Sequence, residues 1–226
     1  MVGFVSLTGC AGDSQSEPTI SQVAPVSAPQ KVAIPSYYWF NATDWNGVTP
    51  QNSVGLAMLN PENGRWDASA TPGFQSRFAA LRALSPRPLI IGYVYTRYAN
   101  QDPNNQDGGV HDRSVSQVEA NIDTYFTTFP ELDGIFLDEV TVACDFRLGY
   151  YQDIYAWMQV HYPGRKLILN PGGATDQSQC YLSGTASDPR RAGDIIVSFE
   201  GSYTTYSQCR TRPAWEMTTQ PRLFGT

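Results

Sequence analysis

The sequence predicts an α/β fold: a (β/α)8 TIM-type barrel lacking its last two strands in this chain. Three observations lead there. Six short apolar runs of strand character, interleaved with helical stretches, follow one another between Val32 and Glu200. Near-continuous apolar strands alternating with helices belong to a parallel sheet buried on both faces. No G-x-G-x-x-G follows any run, and the first ends in aromatics, which argues against a doubly wound dinucleotide-binding sheet. Only about 195 residues follow position 31, where a complete barrel usually takes about 250.

Each element has its own signal. Val32 to Phe40 (VAIPSYYWF) reads as the first strand, and Val54 to Asn60 as a second that Pro61 closes. Phe74, Phe78, Leu81 and Leu84 recur at helical spacing across Phe74 to Ser85. Leu89 to Thr96 is the third strand, and Val115 to Phe129 a helix that Pro130 ends. Leu132 to Val140 is the fourth strand. Tyr150 to Tyr162 is helical until Pro163-Gly164 breaks it. Lys166 to Asn170 is the fifth strand, stopped by Pro171-Gly172-Gly173, and Asp194 to Glu200 the sixth. No clear strand follows Glu200, and Pro213 to Thr226 reads as an unfinished end.

The chain divides into three segments. Residues 1–9 read as a signal-peptide remnant, and residues 10–31 as a lipidated Cys10 followed by a Ser/Pro/Gln-rich disordered tether. Residues 32–226 are the barrel domain. Leu7-Thr8-Gly9-Cys10 after the apolar run Val2 to Leu7 looks like a lipobox, which implies export and membrane attachment only through a lipid at Cys10. Cys144, Cys180 and Cys209 lack C-x-x-C spacing, so a zinc ribbon or a thioredoxin-type site is not supported. Cys144 and Cys180 each follow a strand by a few residues, so a bridge between neighbouring loops is expected, with Cys209 left over or competing for Cys180.

Composition excludes several classes. With two lysines and a net charge of −6 there is no basic stripe for nucleic acid. An acidic surface suits a cationic ligand, although −6 is also ordinary solubility charge. Neither histidine, His111 or His161, lies at a strand end, and G-x-S-x-G and Walker-type loops are absent. A monomer without metal or cofactor is expected.

Reactive groups of parallel α/β folds collect where the strands end. Here those ends carry Tyr38, Phe40, Asn60, Tyr93, Tyr95, Asp138, Glu139, Asn170 and Glu200. Carboxylates directly after Ile135-Phe136-Leu137 and close behind Ile195-Ile196-Val197 are expensive to bury without a use or a partner. Neighbouring strand residues face opposite ways, so Asp138 and Glu139 both point inward only if the strand has already ended. Which of them faces Glu200 is left open. A pair of carboxylates across a barrel mouth is what glycoside hydrolysis uses.

At these residues the chain resembles a known family. Ile34-Pro35-Ser36-Tyr37-Tyr38, Asn60-Pro61-Glu62-Asn63-Gly64, Ile91-Gly92-Tyr93-Val94-Tyr95-Thr96, Gly134 through Glu139, Asn170-Pro171-Gly172 and Phe199-Glu200 occur in the order seen in the spherulin-4-like family. The resemblance covers Val32 to about Tyr206. It implies a barrel glycoside hydrolase, related to galactosaminidases, that cuts α-1,4-linked galactosamine and N-acetylgalactosamine polymers internally. Asp138, Glu139 and Glu200 match the family's acidic trio. By analogy with retaining barrels, Asp138 would be the nucleophile, Glu200 the acid/base and Glu139 a substrate-orienting group. Asn170 or Tyr93 would supply Asp138 with donors. Tyr38, Asn60, Tyr93, Tyr95, Asn170 and Tyr203 would bind the sugar. A surface lipoprotein that binds polysaccharide without cutting it, or a hydrolase of another glycan, would present the same residues.

Overall fold

The computed structural model describes residues 31–61, 68–100, 113–202, 204–205, 213–215 and 224–225. Two compact units divide the chain: residues 30–200 with 212–226, and residues 1–29 with 201–211. In the second unit the Ser202 hydroxyl accepts from the Thr205 amide at 3.1 Å. The sheet, its helices and the strand-end polar residues belong to the first. Cys10, most of the tether, Tyr203 and Cys209 lie outside the described residues.

In chain order the first unit runs β1 (Lys31–Ile34), β2 (Val54–Leu59), α1 (Thr71–Arg82), β3 (Leu89–Tyr95) and α2 (Arg97–Asn100). Then come α3 (Val115–Thr128), β4 (Gly134–Asp138), α4 (Leu148–His161), β5 (Lys166–Leu169), α5 (Cys180–Ser183), β6 (Ile195–Ile196) and β7 (Phe224–Gly225). The strands form one sheet in the order β6-β5-β4-β3-β2-β1-β7, and every neighbouring pair is parallel.

This corrects the expected (β/α)8 barrel. The sheet is open: its end strands, β6 and β7, do not pair among the described residues. The six predicted strands are present, and a seventh of two residues, which sequence reading did not foresee, lies beside β1. Alternating apolar runs report parallel pairing between successive strands. Closure depends instead on strand number, tilt and stagger together, and the run pattern does not encode those.

β1 and β6 fall furthest short of their apolar runs. β1 stops at Ile34 because Pro35 has no N–H, and the Tyr37 amide turns back onto the Pro35 carbonyl at 2.9 Å. β6 keeps two residues. Beyond it Phe199 bridges antiparallel to Gly173, and the Glu200 amide donates to the Gly172 carbonyl at 3.0 Å.

Period-2 alternation sorts the strand residues onto two faces. Ala57, Leu59, Ile90, Val94, Ile135, Leu137, Leu167 and Leu169 bury against Phe74 and Phe78 of α1, Ile122 and Tyr125 of α3, and Ile154 and Met158 of α4. The α3 start is fixed by a reciprocal Ser114–Gln117 capping box. On the other face Leu56, Met58, Ile91, Tyr93, Phe136 and Ile168 form a separate, smaller cluster. Asp138 and Asn170 lie two residues beyond Phe136 and Ile168, which continues that face to the strand ends.

Cys144 and Cys180 are joined in a disulfide between the β4–α4 loop and α5, with Cα atoms 6.2 Å apart and a sequence separation of 36. The Tyr181 hydroxyl donates to the Thr141 carbonyl at 2.8 Å beside it. Cross-linking a loop of that length restricts the unfolded chain by about 3–4 kcal/mol in the chain-entropy picture. Cys180→Ser is therefore expected to lower the melting temperature by roughly 6–16 °C. Melting the parent with and without reductant checks this, and a melt indifferent to both changes would refute it.

Candidate active site

β3, β4 and β5 run side by side, with Tyr93 paired to Phe136 and Phe136 to Ile168, so their ends deliver polar side chains to one place. The Asp138 carboxylate is the centre. Buried Tyr93 donates its hydroxyl to Oδ2 at 2.6 Å, and Asn170 Nδ2 donates to Oδ1 at 2.8 Å. Half-exposed Tyr37 reaches the same Oδ2 with a longer contact of 3.5 Å. Tyr37 stands edge-on to Tyr93 with ring centroids 5.7 Å apart, and Tyr93 stacks on Phe136 at 6.1 Å. Burial pushes both phenols above their ordinary pKa, and the charge of Asp138 pushes further in the same direction. Both hydroxyls therefore stay protonated and remain donors.

Glu200 is exposed and reaches the same cluster through Asn170, whose Nδ2 donates to Oε2 at 3.0 Å. Sharing one amide nitrogen at 2.8 and 3.0 Å, the two acceptor oxygens lie less than about 6 Å apart. That range includes the separation of about 5–5.5 Å in which a second carboxylate acts as a nucleophile, and lies below the roughly 6.5–9.5 Å that admits a water between.

Glu139 meets the condition set by the sequence. The strand ends at Asp138, and Glu139 has φ of 55°, a left-handed conformation costing a non-glycine residue about 1–3 kcal/mol. Tyr98 N and Thr96 Oγ1 hold its carbonyl at 2.7 and 2.9 Å. Residues 97–99 are themselves left-handed, a turn that brings the Tyr98 amide round to Glu139. The Glu139 charge adds to the upward shift of Tyr93.

The other predicted residues are placed differently. Tyr38 is half-buried against the helix-side core, edge-on to Trp45 at 5.7 Å, and its neighbour Tyr37 takes the place by Asp138. Sequence reading missed Tyr37 because it carried strand alternation past Pro35, which was itself the signal that the strand had ended. Tyr95 is half-buried beneath the Arg113 guanidinium at 4.4 Å. Asn60 is buried directly after β2. Asn170 is buried with both amide hydrogens on carboxylates, and it is a donor to Asp138 as expected. Among the described residues no three His, Cys, Asp or Glu side chains converge to hold a metal ion. No helix among them is long and apolar enough to cross a membrane.

Comparison with known proteins follows the same strands. A family model described as Spherulin4, spherulation-specific family 4, matches residues 31–224. The chain belongs to the spherulin-4 family. Spherulin-4 of Physarum polycephalum is 28% identical over 186 residues, covering 81% of this chain and 50% of that protein. The chain thus spans about half the length of the curated relative it matches. The family-model match takes in β1 to β6 with the Asp138–Asn170–Glu200 cluster.

Proposed function

We propose that this spherulin-4 family member is a glycoside hydrolase that cuts an α-1,4-linked galactosamine and N-acetylgalactosamine exopolysaccharide internally. The observation that carries the reading is the pairing of Asp138 and Glu200 through one amide. In the first step an Asp138 oxygen forms a bond to the anomeric carbon. The glycosidic C–O bond breaks with its electron pair leaving on oxygen, which takes the proton of Glu200. In the second step Glu200 removes a proton from water, the water oxygen attacks the same carbon, and the bond to Asp138 breaks. Two inversions give net retention. Tyr93 holds Asp138 from below, Tyr37 lies where a sugar would rest, and Glu139 orients the substrate. An exported lipoprotein, anchored through Cys10 and acting on a biofilm matrix, is the setting this activity fits.

The test is reducing-end release from partly deacetylated α-1,4-galactosaminan, with the anomeric form of fresh product followed by proton NMR. Release of products first seen as the α-anomer is expected. A folded protein that binds the polymer and releases nothing would favour the non-catalytic reading, and β-anomers would overturn the roles assigned to Asp138 and Glu200.

A further inference from the structure

We propose that Asn170 is the positioning residue of the carboxylate pair, fixing Asp138 and Glu200 at their working separation instead of touching substrate. The inference deepens the hydrolase reading and rests on it for its meaning, although its geometry stands alone. Nδ2 spends one hydrogen on Asp138 Oδ1 at 2.8 Å and the other on Glu200 Oε2 at 3.0 Å. Oδ1 accepts from the Gly172 amide at 3.1 Å. That third bond sets which way the side chain faces. With the amide flipped, an oxygen would confront two carboxylates and an NH2 would confront an N–H.

The backbone completes the bracket. Asn170 N donates to the Leu137 carbonyl at 2.8 Å and its carbonyl accepts from Val140 N at 3.1 Å, fastening residue 170 to β4 on both sides of Asp138. Gly172 holds the Asn170 side chain through its N–H and Glu200 through its carbonyl, which accepts the Glu200 amide at 3.0 Å. Its φ of 73° is one that other residues rarely adopt. The Asn170-Pro171-Gly172 segment therefore does more than let the chain leave β5. It ties one carboxylate, on rigid β4, to another that is exposed and would otherwise sample several rotamers.

The experiment compares the full chain with Asn170→Ala and Asn170→Asp, after a thermal melt has shown that each variant is folded. Asn170→Ala is expected to lower kcat about a hundredfold, the loss typical of a misplaced catalytic group, with KM changed by less than about threefold. Asn170→Asp is expected to be as poor at neutral pH and to recover as pH falls, because a protonated carboxyl regains one O–H donor. A merely structural amide would give a loss that is flat with pH. Independently of activity, both Asn170 side-chain amide protons should be protected from exchange in the NMR spectrum of the parent, and Glu200→Ala should release one while the other stays protected. Two freely exchanging protons, or an Asn170→Ala kcat within about threefold of an active parent, would overturn the proposal. If the parent releases no sugar, the proton-exchange result still decides the bracket, and it is the hydrolase reading that fails.

Discussion

Asp138→Asn is expected to lower kcat on the polysaccharide by at least about a thousandfold, while the melting temperature stays within a few degrees of the parent. The side chain keeps its shape, so β4 and its packing are undisturbed. Its chemistry changes in two ways. A neutral amide has no charged oxygen with which to form a bond to the anomeric carbon. One former acceptor also becomes an NH2 that must face either the Tyr93 hydroxyl or Asn170 Nδ2, both already donors to residue 138. Glu200→Gln should behave differently. It removes the proton needed by a poor leaving group, for a loss of about 10²–10⁴ on the polymer. An aryl glycoside with an acidic phenol needs no such proton, so its first step should recover in Glu200→Gln and stay dead in Asp138→Asn. Initial rates on both substrates make the comparison. If Asp138→Asn keeps more than about a tenth of parental turnover, the nucleophile is elsewhere.

Much of this site can be read from sequence, for reasons that are physical. Ile135-Phe136-Leu137 is a short apolar run that reads as a buried strand, so the carboxylates that close it are expected at its end. The helical spacing of Phe74, Phe78 and Leu81 is realised in α1, where all three are buried. Which carboxylate faces inward was not legible, because period 2 assigns residues to two faces without saying which face is which. The structure settles it through Phe136, which joins Tyr93 and Ile168 on the side away from the helices.

Other features depend on contacts between residues far apart in the chain. Asn170 could be expected to donate to Asp138, but nothing local to it says that the same amide also meets residue 200. The left-handed turn at Glu139 is held by Thr96 and Tyr98, about forty residues away, and a Glu carries no intrinsic preference for that conformation. Tyr37 and Tyr38 are adjacent and chemically identical, so only the turn made after Pro35 decides which of them meets Asp138. The open sheet is of the same kind, since pairing between end strands is a property of the whole set and not of any run.

The largest stability effect is expected where β3 meets α3. Gly92 lies on the helix side of β3, and a Cβ there would sit 2.5 Å from Cδ1 and 2.7 Å from Cε1 of Tyr125. Tyr125 is buried and donates its hydroxyl to the Leu59 carbonyl at 3.2 Å. Tyr125→Ala should therefore cost about 3–5 kcal/mol through the cavity it leaves, or roughly 6–20 °C in melting temperature. Tyr125→Phe, which removes only the hydroxyl, should cost about 1 kcal/mol. Gly92→Ala should cost about 1–3 kcal/mol by overpacking, because the buried Tyr125 ring must shift to admit the methyl. The two sites are not independent. Once the ring is gone, the added methyl occupies part of the vacated volume, so the double variant should lie close to Tyr125→Ala alone, with a coupling of about 0.5–3 kcal/mol. Denaturant melts of the four proteins close the cycle. Additivity within about 0.5 kcal/mol would mean that Gly92 is required for some reason other than the Tyr125 ring.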